Sequence, residues 1–232
     1  FLPAHYSRND LSGKAICKRE LIRSLFKSDD PKAERMPLIG MVGRLSEQKG
    51  LDLVIQAIPE LLSFGVKFAI LGKGDEAFHR MFSEVAGKYK DKVSVTIGFD
   101  DTLAHMIYAG SDFFLMPSKY EPCGLGQLIS LRYGCIPIAR RTGGPVDTIQ
   151  DYEPMTSKGT GFLFSDYTPS AMQDAVKRAL CVYTDREKLH KMVLDGMKMD
   201  FSWRKSAERY IEIYRSAIKK KALKGISYGY SV

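Results

Sequence analysis

Asp112-Phe113-Phe114-Leu115-Met116 runs directly into Pro117-Ser118-Lys119-Tyr120-Glu121-Pro122-Cys123-Gly124-Leu125-Gly126-Gln127. Leu128-Ile129-Ser130-Leu131-Arg132-Tyr133 follows, closed by Gly134. The first block is apolar, aromatic and of strand length. The last has the apolar spacing of a helix, with Gly134 as its terminator. Strand, tight loop and helix in that order form the unit that places ligands beyond the carboxyl ends of a parallel sheet. Gly124 and Gly126 fall where the helix starts, so bare backbone N–H groups and the positive end of the dipole suit an anion such as phosphate. Glu121 stands just before that place. Phosphate would repel its carboxylate, so a sugar hydroxyl is the better partner. Alone, the same residues also read as a solvated loop acid and two turn-making glycines.

Outward from this unit the pattern repeats. Toward the amino terminus, a buried-type strand is expected at 38–42 and further strands at 66–71 and 93–97, each followed by a polar loop and a helix. The first of those helices has Leu51, Val54, Ile55, Ile58, Leu61 and Leu62 at helical spacing, and Pro59 is expected to kink or interrupt it. Asp100 or Asp101 is the expected N-cap of a short helix before the central strand. Toward the carboxyl terminus, strands are expected at 135–139 and 161–164, then helices near 169–182, 185–198 and 203–222. Such alternation implies an α/β fold, a doubly wound parallel sheet with helices on both faces. Residues 1–37 read as an amino-terminal segment carrying an amphipathic helix and a charged linker. Residues 38–200 read as the main, Rossmann-like α/β domain, and 201–232 as a final helix and tail.

The 232 residues suffice for one large α/β domain or two small ones, and 44% hydrophobic with 27% charged residues is ordinary for a soluble globular chain. No apolar run reaches membrane-spanning length, and the start has no signal-peptide pattern. Phe1 in place of an initiator Met suggests a fragment or a processed product. The formal charge of +8 raises a nucleic-acid reading. Its excess sits near the termini, at Lys14, Lys18, Arg19 and Arg23 and at Lys219, Lys220, Lys221 and Lys224, without interleaved aromatics. Neither nucleic acid nor membrane is an expected partner. Cys17, Cys123, Cys135 and Cys181 show no paired or metal-ligand spacing, which implies a reducing compartment and no metal.

Several polar, glycine-bounded loops follow strands and should gather on one sheet edge. Arg44 and Lys49 lie on one of them. Arg forks onto a diphosphate while Lys supplies a compact charge. Viewed alone the loop reads more readily as surface with two solvated cations; convergence with the Gly124–Gly126 helix start would make it a phosphate clamp. A dehydrogenase would need G-x-G-x-x-G after the first strand, and Gly40-Met41-Val42-Gly43 lacks that spacing. No P-loop occurs. The four histidines are scattered, and His105 reads as packed or capped rather than catalytic.

Taken together, Gly43 to Asp52, Pro117 to Gln127 and Arg141-Thr142-Gly143-Gly144 resemble the C-terminal lobe of bacterial glycogen synthases and plant starch synthases. Tyr6 to Lys14 and Phe201-Ser202-Trp203 extend the resemblance over nearly the whole chain. It implies the C-terminal, Rossmann-like lobe of a GT-B fold. It also implies transfer of glucose from ADP-glucose, with retention, to the non-reducing end of an α-1,4-glucan. By position, Arg44 and Lys49 match the diphosphate pair, Glu121 the active-site carboxylate, and Gly124, Leu125 and Gly126, with Cys123 beside them, the pyrophosphate loop. Phe99 falls where the family often has a Tyr against adenine. ADP-glucose enters as donor substrate, and no cofactor is implied. Gly126 stands where relatives often carry Thr or Asn. Ile129 takes the second acidic position of the wider E-x7-E pattern, which the starch synthase group itself commonly lacks. Nothing here corresponds to the N-terminal lobe with its acceptor site. The implied compartment is plastid stroma or bacterial cytoplasm. Another retaining GT-B enzyme using UDP-glucose, or a non-catalytic sugar-nucleotide or glucan-binding module, remains a competing expectation.

Overall fold

The computed structural model describes residues 1–227. Contacts divide the chain into one unit from Phe1 to Lys198 and a second that starts at Met199. Six parallel strands build the first unit: β1 (Leu38–Val42), β2 (Lys67–Gly72), β3 (Val93–Ile97), β4 (Phe113–Met116), β5 (Ile136–Arg140) and β6 (Phe162–Phe164). They lie in the order β3-β2-β1-β4-β5-β6, the doubly wound arrangement expected from the alternation. Registers run Gly40 with Ala69 on one side of β1 and Gly40 with Phe114 on the other.

Five of the strands are buried on both faces, so their side chains alternate between two cores, while the edge strand β3 is only partly covered. Ile39, Phe68, Ile70, Phe113, Leu115, Ile138 and Phe162 enter one cluster. There they meet Val54 and Ile58 of α3 (Leu51–Ser63), Phe82 of α4 (Glu76–Lys88) and Val176 of α8 (Pro169–Thr184), with Met192 of α9 (Arg186–Met197) beside them. Leu38, Ala69 and Leu71 point the other way. They meet Ile107 of α5 (Asp101–Gly110) and Leu21, Ile22 and Phe26 of α1 (Ser12–Phe26). Phe114 and Met116 turn to that second side as well, against Tyr108 and the flank of α6 (Gly126–Arg132).

Two sequence expectations change. Residues 27–37 were read as a linker that marks a boundary, yet α2 (Pro31–Arg35) forms there, capped by the Asp30 carboxylate accepting from the Lys32 N–H. The amphipathic α1 needs a face to bury, and α5 provides it within the same unit. Lys18 pins the junction by donating to the Met36 carbonyl, Asp112 Oδ2 and Tyr183 Oη. Residue 37 therefore separates no packing units. Pro59 also fails to break α3, which runs through it from Leu51 to Ser63. Proline in a helix interior costs about 3 kcal/mol, and the fully buried Val54, Ala57, Ile58 and Leu61 around it outweigh that.

Asp100 caps α5 by accepting from the Leu103 N–H, as expected. No described helix is long and apolar enough to cross a membrane. The second unit is α10 (Trp203–Ser227), with Trp203, Tyr210, Tyr214 and Ile218 exposed along it.

Candidate functional site

In a 3-2-1-4-5-6 sheet the connections leave β1 and β4 toward opposite faces, so a crevice opens beyond their carboxyl ends. A cavity of about 430 Å³ lies there. Arg44, Lys49, Glu121 and the Gly124–Gly126 stretch, all expected from the sequence, converge in its lining, and Ser118 joins them.

The loop after β1 is fixed by its backbone. Leu45 N–H donates to the Lys73 carbonyl and Asp75 N–H to the Leu45 carbonyl, which stitches this loop to the one after β2. A single turn of 3₁₀ helix at Glu47–Lys49 then ends at Gly50, whose φ of +70° suits glycine. A Cβ at Gly50 would sit 2.0 Å from the Pro117 carbonyl oxygen, so only glycine lets the β1 and β4 loops approach this closely. Lys119 N–H donates to the Gln48 carbonyl and the Gln48 amide to the Tyr120 carbonyl across the same seam.

That approach brings together two side chains far apart in sequence. Lys49 Nζ stands 2.5 Å from Glu121 Oε2, and Ser118 Oγ donates to the same oxygen at 3.1 Å. The Glu121 side chain is only 8% exposed, so it depends on these partners for the solvation it has lost. Arg44 lies at the mouth, held by Gln48 Oε1 at 3.2 Å, with no carboxylate partner among the described residues. One cation is thus bound to the carboxylate and the other is free for an incoming anion.

Gly124 adopts φ +72°, and α6 begins two residues later. The N–H groups of Gly124 and Leu125 have no backbone acceptor among the described residues. At Gly126 a Cβ would meet Phe114 Cε1 at 2.8 Å, so a larger residue there would crowd the buried Phe114 ring.

Gly143 and Gly144, at the start of α7 (Gly144–Thr148), press against the backbone of the Glu121–Cys123 loop. Gly144 N–H donates to the Glu121 carbonyl at 3.0 Å. Buried Gln127 donates to the Cys123 carbonyl and to Thr148 Oγ1, and Thr148 in turn donates to the Gly144 carbonyl. A Cβ at Gly144 would fall 1.7 Å from the Cys123 carbonyl oxygen. Gly144→Ala is expected to destabilise by about 1–3 kcal/mol, since backbone meets backbone and no rotamer relieves it. Gly87→Ala, in α4 with nothing near its Cβ, is expected to stabilise by about 0.5–1 kcal/mol. Urea melts of the two variants check both signs.

Two predicted residues lie outside this cavity. Phe99 follows β3 at the same carboxyl edge but two strands away from β1, and is 88% exposed. Cys123 is exposed and contributes its carbonyl, not its thiol, to the loop. Sequence reasoning missed Ser118, Gln127, Thr148 and Arg140. Only Arg140 left a trace, as a charge ending the apolar run Cys135 to Ala139. His105 is packed, with Nδ1 2.7 Å from Tyr133 Oη and its ring stacked on Phe1.

A second cavity, of about 580 Å³, lies at the opposite edge of the sheet beside Lys14 and Lys18. Burial depresses the Lys14 ammonium, which donates to the carbonyls of Ala109, Ser111 and Tyr133. Lys18 is equally committed, so neither cation has a donor left for a ligand.

Comparison with known proteins follows the same geometry. The family described as Glycosyl transferases group 1 matches residues 23–198. The glycogen synthase of Syntrophotalea carbinolica is 50% identical over 218 residues, covering 94% of this chain and 44% of that protein. The catalytic domain of starch synthase IV from Arabidopsis thaliana, solved bound to ADP and acarbose, superposes with a TM-score of 0.85. It is 38% identical and covers 94% of this chain and 45% of that one. Sucrose-phosphate synthase from Thermosynechococcus elongatus shares the fold, with a TM-score of 0.60 at 23% identity over 86% of this chain and 49% of that one. The chain spans less than half the length of these relatives.

Proposed function

The chain belongs to the group 1 glycosyl transferases, and we propose that it is the donor-nucleotide lobe of an ADP-glucose-dependent glucan synthase. One observation carries the reading: Lys49, Glu121 and the Gly124–Gly126 backbone meet in one cavity at the switch point, with uncommitted Arg44 at its mouth. Likeness to glycogen synthases and to an ADP-bound starch synthase supports the nucleotide. The compartment inferred from the resemblance, bacterial cytoplasm or plastid stroma, belongs to the same proposal.

In this reading the donor diphosphate lies over the Gly124–Gly126 amides, flanked by Arg44 and Lys49, and the exposed Phe99 ring stacks on the adenine. The glucose carbon C1 faces Glu121. Its bond to the diphosphate oxygen breaks while the acceptor's 4-hydroxyl oxygen bonds to C1 on the same face. The departing diphosphate takes the hydroxyl proton. Cations and amides fixed in place before reaction stabilise the leaving charge without reorganising. The acceptor site and the opposing wall belong to the part of the relatives' length that this chain does not span.

Glu121 separates binding from chemistry. In the free lobe it holds Lys49, so diphosphate and carboxylate compete for one ammonium. Glu121→Gln is expected to leave ADP affinity unchanged or tighter, while transfer in a two-lobed chain falls on the order of 100-fold or more. ADP titration calorimetry and a glucan elongation assay on the same variant read the two effects. Full activity, or a loss accounted for by ADP affinity, removes Glu121 from the chemistry.

A further inference from the structure

We propose that Arg140 and Tyr167 form a positioning strut that holds the Glu121 loop at its working distance from the Lys49 loop. This role rests on the transfer reading above. Arg140 ends β5 where the strand meets the cavity edge. Its Nε donates to the Ser118 carbonyl at 2.9 Å, one terminal nitrogen to the Lys119 carbonyl, and the other to the Ser165 carbonyl at 3.2 Å. Among the described residues it has no carboxylate partner. A guanidinium spent wholly on neutral carbonyls is there for geometry, since a planar fork spans adjacent carbonyls as no ammonium does.

Tyr167 carries the strut across to the other loop. Arg140 lies over its ring at 5.7 Å from the centroid, and Lys119 Nζ lies 5.4 Å from the same point. The Tyr167 hydroxyl donates to Asp52 Oδ1 at 2.5 Å. Burial, and then the Asp52 carboxylate, raise its ionisation far above the ordinary range, so it stays a donor. Asp52 belongs to the first turn of α3, three residues after Lys49. The contacts therefore run from Lys49 through Asp52, Tyr167 and Arg140 to the carbonyls just before Glu121.

The Lys49–Glu121 ion pair closes this ring only while the cavity holds no anion. When a diphosphate takes up Lys49, that closure loosens. The carbonyl-bonded strut does not involve the ligand, so it continues to fix Glu121 through the reaction. Positional errors near 1 Å cost on the order of 100-fold in rate, which makes such a strut consequential.

Two readouts test this. In the 232-residue chain, Arg140→Ala is expected to speed amide hydrogen exchange at residues 119–124 by about tenfold or more, while exchange in β1 and β2 stays unchanged. ADP affinity is expected to stay within about threefold, because Arg44 and the Gly124–Gly126 amides are untouched. In a two-lobed chain, completed with the amino-terminal half of the Syntrophotalea carbinolica glycogen synthase, kcat is expected to fall about 10–100-fold with KM for ADP-glucose nearly constant. Arg140→Lys should recover little of it. Tyr167→Phe keeps the ring, loses the Asp52 bond and should shift both readouts the same way by less; it serves if Arg140→Ala does not fold. Unchanged exchange at 119–124, or ADP affinity and kcat falling together, overturns the strut. If the wild-type two-lobed chain makes no glucan while exchange still rises in Arg140→Ala, the transfer reading fails and the strut stands.

Discussion

Arg44→Ala and Lys49→Ala are each expected to reduce glucosyl transfer in a two-lobed chain by about 100–1000-fold, equivalent to about 2.7–4 kcal/mol of lost stabilisation for the leaving diphosphate. The two losses differ in kind. Arg44 is exposed and, among the described residues, bound only by Gln48, so its removal should leave folding stability unchanged and act on the charged leaving group alone. Lys49 is the cation partner of a nearly buried carboxylate. Its removal leaves Glu121 with Ser118 Oγ as its remaining side-chain partner, which should destabilise the fold by about 1–3 kcal/mol in addition. Adding Glu121→Gln to Lys49→Ala should restore that stability without restoring transfer. Urea melts and initial rates on the three variants separate the effects. Wild-type rates in both single variants would take the clamp out of the mechanism, and equal melting of all three would show that the ion pair supports nothing.

Features that leave a periodic or compositional mark were legible in the sequence. Phe113 to Met116 is a run of residues buried on both faces, and such runs announce parallel strands. The glycines at 124 and 126 mark a backbone that must turn and be approached closely. Arg44, Lys49 and Glu121 were legible as candidates because charged residues sit on glycine-bounded loops of known edge, and because the combined motifs resemble a family. What was not legible depends on pairs distant in sequence. The contact between Lys49 and Glu121 spans 72 residues and exists only because Gly50 admits the Pro117 carbonyl. Arg140 binds carbonyls, which every residue has, so no pattern of side chains identifies its partners. The boundary placed at residue 37 followed charge and proline content. Burial of α1 against α5 decided the packing instead, and an apolar stripe does not name its partner.

This lobe is proposed to supply the donor half of a glucan-building site and to need a second lobe to act. Arg44, Lys49, Glu121 and the Gly124–Gly126 amides all face one open edge. Water at that edge weakens every charge interaction that the clamp provides, since Coulomb terms scale inversely with the dielectric constant. An open half-site also cannot hold acceptor and donor in a reactive pose, a contribution of roughly 7–11 kcal/mol in well-oriented systems. The missing wall and acceptor groove are assigned to the length of the relatives that this chain does not span, and the Trp203-to-Ile218 face of α10 is the surface proposed to pack against it. The 232-residue chain alone is therefore expected to bind ADP weakly and to elongate nothing. The decisive measurement is incorporation of labelled glucose into glycogen by this chain, alone and joined to a relative's amino-terminal half, with ADP-glucose and UDP-glucose offered in turn. Incorporation is expected only by the two-lobed chain and chiefly from ADP-glucose. Robust elongation by the single lobe, or a two-lobed chain that prefers UDP-glucose, would contradict this expectation.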